Sequence, residues 1–183
     1  LAIAGGKNLK MKPVLFDGNG DKISGKKFEW KVTAVEGEDD GTAYVTSISG
    51  GTLKTKKVTS PKVVEVTVRT VEKNDEWEIE LTVPVEIYPA ATAVKILDES
   101  DTELGLSHWA DLADEQLQLQ ALVTGKANEM PFDGVTWKSS NTKIATVDEN
   151  GLVTFQKTGT VTIYAYAADG TSVKDYVKLT IRK

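Results

Sequence analysis

The sequence predicts an all-β protein with two tandem antiparallel β-sandwiches, and three observations support this fold class. Apolar and polar residues alternate in many short segments, which is the pattern of half-buried strands. Clusters of Gly, Asn, Asp and Ser separate these segments, and they can supply the positive-φ positions of tight turns. Helical spacing is almost absent, and residues 106–116 could hold one helical turn at most.

The longest alternating segment, residues 77–88, is predicted to form one strand. Its apolar residues are predicted to face the core: Trp77, Ile79, Leu81, Val83, Val85 and Ile87. Shorter alternating segments at 64–70, 117–119 and 177–181 predict further strands. Pro84 lies on the polar side of the longest segment, where its missing N–H group is tolerated only at a sheet edge or a bulge.

One pattern occurs twice along the chain. In each half two apolar residues precede a Trp: Leu9 and Met11 before Trp30, and Leu117 and Leu119 before Trp137. A turn Gly and a short apolar segment follow each Trp, beginning at Gly51 and at Gly151. The period of about 90 to 95 residues indicates tandem domains, because the units of a solenoid are shorter.

The repeat predicts two domains, residues 1–89 and 90–183, that join near the segment YPAAT. Only eight residues precede Leu9, whereas about twenty residues and a further apolar segment precede Leu117 in the second half. The opening strand of the first domain is therefore predicted to be short or missing. Such a domain would leave a sheet edge with which another segment could pair.

Charge and composition exclude several classes of function. The net charge is −5, so the field of the chain repels phosphate backbones, and we expect no nucleic-acid partner. The chain contains no Cys, which excludes disulfides, thiolate metal sites and a Cys nucleophile. No apolar run is long enough to span a bilayer, and the first residues lack the basic region of a signal peptide. We interpret the chain as an excised segment of a longer protein whose signal or anchor lies elsewhere.

A family resemblance rests on residues 135–181, which begin VTWKSSNTKIATVDENGLVTF. This segment resembles the bacterial Ig-like domain of group 2, and these residues fall in register with the family pattern: Trp137, Ser139, Ser140, Asn141, Ala145, Val147, Gly151, Val153, Gly159 and Ile163. Residues 6–30 are similar to the family's opening, although the first half has KVTA in place of Ser-Ser-Asn. The pattern is structural: Trp137 is predicted on a central strand, where it fills the gap between two sheets, and Ser140 and Asn141 are predicted to bond the backbone of a turn.

Candidates for chemistry are few. A catalytic triad would need His108, the single His, beside an activated Ser and a carboxylate, and Ser107 and Asp111 are near it only in sequence. We interpret His108 as a surface-loop residue and predict no enzymatic activity, no cofactor and no catalytic or metal-binding residue. Residues 17–22 begin like a calcium loop, but Lys22 stands where Gly is needed, so a hairpin turn is predicted.

Residues 98–115 contain seven acidic residues and no Lys or Arg. A solvated acidic loop and a calcium site both remain open here. Trp109 in the same segment could cover the end of the core, or it could be exposed and stack on a sugar ring or anchor a partner. The lysines of residues 54–62 are interpreted as protection for a sheet edge.

The resemblance implies a non-enzymatic adhesion or spacer module of a larger bacterial surface protein, extracellular or at the cell surface, with an unknown protein or glycan ligand. One alternative is a carbohydrate-binding module of a glycan-processing protein. Exposed rings in one plane would favour it; Tyr164 and Tyr166 share one strand face, and Tyr44 and Trp109 are further candidates. Another alternative is a decoration domain of a phage particle.

Overall fold

The computed structural model describes residues 1–37, 41–71, 79–126 and 129–183. Trp77, which was predicted to begin a strand, and part of the acidic connection VEGEDDG lie outside the described residues. Contacts divide the chain into two compact units, Leu1–Ala90 and Ala91–Lys183, and each is described by itself. The domain boundaries stay a prediction of the sequence.

The described residues of the first unit form nine strands in three sheets. The strands are β1 (Ala2–Ala4), β2 (Asn8–Lys10), β3 (Leu15–Phe16), β4 (Lys22–Ile23), β5 (Lys27–Ala34), β6 (Val45–Ser49), β7 (Thr52–Thr55), β8 (Lys62–Val71) and β9 (Glu80–Tyr88). One sheet has the order β1-β9-β8-β5 and a second has the order β2-β7-β6. The hairpin of β3 and β4 encloses the DGNGD turn, as predicted, and Asp17 accepts backbone N–H groups of that turn.

The described residues of the second unit also form nine strands. They are β10 (Ala93–Leu97), β11 (Ser107–Asp111), β12 (Gln116–Gln118), β13 (Gln120–Thr124), β14 (Val135–Ser139), β15 (Ala145–Val147), β16 (Leu152–Phe155), β17 (Gly159–Ala167) and β18 (Lys174–Arg182). The larger sheet has the order β11-β18-β17-β14, and the other layer contains β12-β16-β15 and the pair β10-β13. The all-β sandwich class is confirmed.

Two strand pairs are parallel, although the sequence predicted antiparallel sheets. Strand β1 pairs with β9 and β11 pairs with β18 in parallel, with Trp109 opposite Thr180. The alternative in which residues 98–115 form a solvated acidic loop was therefore wrong for β11. The prediction of one helical turn at most in residues 106–116 agrees with the single 3-10 turn at Leu112–Asp114. Strand β11 lies about seventy residues before its partner, so its pairing leaves no local pattern in the sequence.

Each unit has its own apolar core between its layers. The largest fully buried side chains of the first unit are Leu53, Val64, Val66, Val85 and Ile87. Those of the second unit are Ile96, Leu119, Val153, Ile163, Val177, Leu179 and Ile181. These residues lie at alternate positions of their strands, so period-two alternation predicted most of the core.

The predicted core positions of β9 are only partly buried. Val85 and Ile87 are fully buried, but Leu81 is 58% exposed and Ile79, just before the strand, is 50% exposed. The prediction was wrong for these two residues. Alternation places a side chain on one face of the sheet, whereas its burial depends on whether a neighbouring element covers that end of the face.

The repeated Trp and Gly form the same contact in both units. A Cβ atom on Gly51 would lie 3.1 Å from the ring of Trp30, and one on Gly151 would lie 3.0 Å from the ring of Trp137. Both glycines have positive φ, 75° and 82°. Any larger residue would therefore be strained in its backbone and crowded against the indole. The repeat read from the sequence corresponds to equivalent positions of the two units.

The Ser-Ser-Asn turn is stabilised as predicted. The hydroxyl of Ser139 donates to the carbonyl of Ala145 and accepts from the N–H of Asn141. The hydroxyl of Ser140 accepts from the N–H of Thr162, and the amide oxygen of Asn141 accepts from the N–H of Lys143. Trp137 is half-buried against the core, and β14 is an edge strand of its sheet, so the prediction of a central strand for Trp137 was wrong.

Pro84 lies within β9 opposite Glu65 of β8, and the register shows no bulge there. On the other side of β9, the pairing with β1 begins only at Ala2, which lies opposite Glu86. The carbonyl of Pro84 accepts a hydrogen bond from the amino group of Leu1 at 3.0 Å, and no strand of the described residues pairs with β9 beyond that point on this side. Strand β9 is an inner strand without a bulge, so the edge that the sequence predicted exists only locally, where the short strand β1 has ended.

Candidate functional site

The outer face of the sheet β11-β18-β17-β14 carries a group of aromatic side chains. On β17, Val161, Ile163 and Ala165 are buried, so Tyr164 and Tyr166 lie on the outer face, as the alternation predicted. The neighbouring strand β18 buries Val177, Leu179 and Ile181 and therefore presents the residues between them to the same outer face. The aromatic face consists of Trp109, Tyr164, Tyr166 and Tyr176.

Three tyrosines of this face form a contiguous cluster. The ring centroid of Tyr164 lies 5.9 Å from that of Tyr166 and 6.0 Å from that of Tyr176, with tilted planes. The ammonium group of Lys174 lies 5.1 Å and 5.3 Å from the centroids of Tyr164 and Tyr166. Both distances suit a cation–π interaction, which holds the rings in place. No hydroxyl of these tyrosines hydrogen-bonds to another described residue, so the polar ends of the rings are available to a ligand.

Trp109 lies on the same face, towards the other end of the sheet. Its side chain is 56% exposed, and the guanidinium carbon of Arg182 lies 3.0 Å from the ring centroid. The alternative in which this ring covers the end of the core was wrong, because pairing with β18 turns Ala110 inward and Trp109 outward. Trp109 faces Thr180, four residues along β18 from Tyr176, a separation of about 13 Å along the strand.

The aromatic face is also rich in cations. Its strands present four exposed basic side chains: Lys138, Lys174, Lys178 and Arg182. The chain as a whole has a net charge of −5, so this face differs in sign from the average surface. Aromatic and Arg side chains are enriched where proteins bind partners. The arrangement suits a flat ligand surface that carries hydroxyl or acidic groups.

The arrangement around His108 does not form a catalytic triad. His108 is half-buried in β11 rather than in a surface loop, and the alternation of that strand places Ser107 and Asp111 on the opposite face. The sequence prediction of a surface loop was therefore wrong. His108 contributes instead to an open polar groove of about 360 Å³, together with Asp98 and Glu99.

The acidic residues of 98–115 serve local turns and a surface ion pair. One carboxylate oxygen of Asp98 accepts from the N–H groups of Ser100 and Thr102. Glu103 accepts a hydrogen bond from the ammonium group of Lys95 at 2.6 Å, and this bond raises the pKa of Lys95. Within the ranges that the structure describes, no three His, Asp or Glu side chains are grouped so that they could hold a metal ion.

Two other carboxylates, which the sequence analysis did not single out, fix the opening strand of the second unit. Asp169 is fully buried; one of its oxygens accepts the N–H of Ala91 at 2.8 Å, and the other accepts the N–H and hydroxyl of Thr171. Asp175 accepts the N–H of Ile96 at 2.9 Å. An Asp in an ADGT turn is an ordinary turn signal, so its long-range bond could not be read from the sequence.

The lysines of residues 54–62 do not protect a sheet edge. Lys54 lies on β7 and Lys62 on β8, and both strands are central in their sheets, so that prediction was wrong. Lys56 donates to the carbonyl of Ala43 at 3.1 Å, and the ammonium group of Lys62 lies 5.7 Å from the ring centroid of Tyr44. Tyr44 itself packs partly against the core and offers no exposed ring.

Comparison with known proteins connects this fold with a family. The family model of the bacterial Ig-like domain (group 2) matches residues 108–177. Intimin of Citrobacter freundii is 30% identical over 159 residues, which cover 84% of this chain and 15% of intimin. An uncharacterized protein of Clostridium acetobutylicum is 46% identical over 50 residues, 27% of this chain and 5% of that protein. The chain therefore spans a small part of the length of both relatives.

Solved structures with similar folds include an intimin–Tir90 complex, with 27% identity over 48% of this chain and 42% of that chain and a TM-score of 0.31. Domains 4 and 5 of the S-layer protein SbsC are 16% identical over 93% of this chain and 80% of that chain, with a TM-score of 0.38. Both TM-scores are low, so the family assignment rests on the sequence matches.

No helix among the described residues has the length and apolar character that a bilayer-crossing helix requires. The family match lies wholly within the second unit, and it includes the Trp137–Gly151 contact, the Ser-Ser-Asn turn and all four residues of the aromatic face. These observations agree with the motif residues that the sequence analysis identified. The resemblance to the bacterial Ig-like domain of group 2 that the sequence indicated is confirmed over residues 108–177.

Proposed function

We propose that the chain is a non-enzymatic adhesion module of a larger bacterial surface protein, located outside the cell or at its surface. The observation that carries this proposal is the similarity to intimin, which extends over 84% of the chain and thus through both units. A simple spacer is the weaker form of the same proposal. The aromatic face favours adhesion, because a spacer has no need of exposed rings on rigid strands.

The aromatic face is the proposed contact surface. Tyr164, Tyr166 and Tyr176 present amphipathic rings from paired strands, so little side-chain freedom is lost when a ligand binds. Trp109 and Arg182 stack on one another and extend the surface along the sheet. A protein partner with a flat patch of acidic and hydroxyl groups fits this combination of rings and cations.

A carbohydrate ligand is the second candidate. The observation that favours it is the location of four aromatic side chains on one face of one sheet, since sugar rings stack on exposed aromatic rings. The sequence alone placed only Tyr164 and Tyr166 on one strand face, with Trp109 and Tyr44 as separate candidates. The structure adds Tyr176 and Trp109 to the same face.

Binding assays on the purified chain test both candidates. The chain would be applied to a glycan array and to arrays of extracellular proteins, beside the variants Trp109→Ala and Tyr176→Ala. Thr162→Ala is the matched control, because Thr162 lies on the outer face of β17 next to the tyrosines. We expect binding to a protein that each aromatic variant weakens about tenfold or more and that the control retains.

Three other results would change the proposal. Glycan binding that the aromatic variants abolish would assign the face to carbohydrate. Binding that all variants retain would place the contact surface elsewhere on the chain. No binding to any protein or glycan would overturn the adhesion proposal and leave the spacer.

A further inference from the structure

Two turns of the chain contain the dipeptide Asn-Gly: Asn19-Gly20 lies in the first unit and Asn150-Gly151 in the second. In this dipeptide the backbone nitrogen of Gly can attack the side-chain amide of the preceding Asn, because Gly has no Cβ atom to hinder the approach. The product is a succinimide ring, which water converts to aspartate or isoaspartate. The two sites share this local chemistry, so any difference in their reactivity comes from the surrounding fold.

The turn of the first unit lies in the hairpin of β3 and β4. One carboxylate oxygen of Asp17 accepts the N–H groups of Asn19 and Asp21, both at 2.9 Å. The N–H of Gly20 donates to the carbonyl of Asp17 at 3.1 Å, and Gly20 has a φ of 87°. The nitrogen that would attack Asn19 is therefore held by a hydrogen bond within the turn.

The turn of the second unit leads into β16 and has the same hydrogen bonds. One carboxylate oxygen of Asp148 accepts the N–H groups of Asn150 and Leu152, at 2.9 Å and 2.8 Å. The N–H of Gly151 donates to the carbonyl of Asp148 at 3.2 Å, and Gly151 has a φ of 82°. The two turns thus differ little in backbone geometry, and they form a matched pair within one chain.

The two glycines differ in what packs against them. A Cβ atom on Gly20 would meet no atom of a described residue within 4 Å. A Cβ atom on Gly151 would lie 2.4 Å from the carbonyl oxygen of Leu119 and 3.0 Å from the indole of Trp137. The first turn is therefore open on the side of its Gly, whereas the second turn is closely packed.

The second turn also bonds to a neighbouring strand. The carbonyl of Gly151 accepts the N–H of Leu119 at 3.1 Å, and the carbonyl of Asn150 accepts the side-chain amide of Gln118 at 2.8 Å. Gln118 belongs to β12, which pairs with β16. In the part of the chain that the structure describes, no residue outside the β3–β4 hairpin makes a hydrogen bond with the Asn-Gly pair of the first turn.

Closure of the succinimide ring requires the turn to open. The N–H of the Gly must leave its carbonyl partner before the nitrogen can approach Cγ of the Asn, so the rate depends on how often the turn opens. Opening of the first turn breaks hydrogen bonds within one exposed hairpin. Opening of the second turn also breaks the bonds to Gln118 and Leu119 and the contact with Trp137. We therefore expect the first turn to open more often.

We propose that Asn19 is a site of spontaneous modification, where the side-chain amide becomes aspartate or isoaspartate, and that the fold protects Asn150 from the same reaction. A bond first forms between the nitrogen of Gly20 and Cγ of Asn19. The bond between Cγ and Nδ2 breaks, and ammonia leaves with the proton of the Gly20 N–H group. Water then adds to one of the two carbonyl groups of the succinimide and opens the ring, so the reaction consumes only water.

The modification has different consequences at the two sites. Both products add a negative charge, which at Asn19 lies between two Asp residues of the exposed hairpin. Isoaspartate also adds a carbon atom to the backbone, and at Asn150 that atom would displace Gly151 from the indole of Trp137. The fold thus confines the reaction to the turn that tolerates it. This site is separate from the aromatic face and does not depend on the function proposed for it.

Peptide mapping by mass spectrometry tests the proposal on the full chain. The folded chain would be incubated at mildly alkaline pH and digested with trypsin, which separates the two sites into the peptides 11–22 and 144–157. We expect Asn19 to be converted at least about tenfold faster than Asn150. A parallel incubation in denaturing urea is the control. There the two sites should react at similar rates, because both turns have unfolded.

Two variants make the test sharper. Asn19→Ser should fold and leave the mass of peptide 11–22 constant. Ser is suited to this position because a third turn of the same kind has Ser100 there, with Asp98 accepting the N–H groups of Ser100 and Thr102. Gln118→Ala removes the hydrogen bond to the carbonyl of Asn150, and it should speed the conversion of Asn150 in the folded chain.

Two results would overturn the proposal. Equal rates for Asn19 and Asn150 in the folded chain would show that the packing of the second turn gives no protection. An Asn19 that stays intact in the folded chain, over a time in which the chain in urea has reacted, would show that the hairpin itself prevents ring closure.

Discussion

The two units share a Trp–Gly contact and a four-stranded sheet of the same order, yet they bury the same positions to different extents. Met11 is half-buried where Leu119 is fully buried, and Leu15 is half-buried where Val123 is buried. The difference follows from β10, which covers these positions in the second unit. Alternation therefore decides which face of the sheet a side chain occupies, and the neighbouring strand decides how much of that side chain is buried.

The two units also differ in the side chain that hydrogen-bonds to the opening strand. Asp175 accepts the N–H of Ile96 in the second unit, whereas Leu81 holds the equivalent place in the first unit. This equivalence follows from the register, since Asp175 lies opposite Ala165 on β17 and Leu81 opposite Val68 on β8. The first unit therefore has no carboxylate at that place.

The largest expected difference between the units is in the stability lost when equivalent residues are truncated, by Leu119→Ala in the second unit and by Met11→Ala in the first. Leu119→Ala should destabilise the second unit by about 3 to 5 kcal/mol, because it leaves a cavity in a closed core. Met11→Ala should cost about 1 kcal/mol, since water already reaches the side chain. Hydrogen exchange that resolves each unit would measure both free energies. Equal losses of unfolding free energy would contradict the conclusion that the core of the first unit is less completely buried than that of the second.

A smaller difference is expected between two Asp residues of turns. Asp169→Ala should destabilise the second unit by about 2 to 3 kcal/mol, because the buried N–H of Ala91 loses a charged acceptor. Asp17→Ala removes two similar bonds at an exposed turn and should cost about 1 kcal/mol or less. Urea denaturation of each variant would compare the midpoints. A larger loss of stability for Asp17→Ala than for Asp169→Ala would show that exposure does not determine how much these hydrogen bonds stabilise the fold.

The smallest expected effect concerns the ion pair of Lys95 and Glu103 at the surface of β10. The hydrogen bond from Lys95 to Glu103 raises the pKa of Lys95 above its ordinary value of 10.5. Because the folded pKa is the higher one, the pair stabilises the fold fully below the unfolded pKa, and this contribution is lost as pH rises through the folded pKa. Glu103→Gln should lower the pKa of Lys95 in an NMR titration. It should leave the thermal unfolding temperature at neutral pH nearly unchanged, since the pair is exposed. An unchanged pKa would show that the pair does not persist in solution.

The aromatic face was only partly predictable from the sequence. Tyr164 and Tyr166 share a strand face because they are two residues apart, and alternation alone shows this. Tyr176 joins them through the register of β18 on β17, and Trp109 through the parallel pairing of β11. Both pairings depend on contacts distant in sequence, for which no local signal exists.

The sequence by itself determined the all-β class, the repeated Trp and turn Gly, and the Ser-Ser-Asn turn, because these follow from alternation, from turn chemistry and from a pattern that occurs twice. Only the tertiary structure decided that β1 and β11 pair in parallel, that Leu81 and Trp109 are exposed, and that Asp169 reaches Ala91. The physical reason is that strand pairing and burial are set by neighbours far along the chain. A local pattern specifies a strand and its two faces, and the rest of the fold determines what covers them.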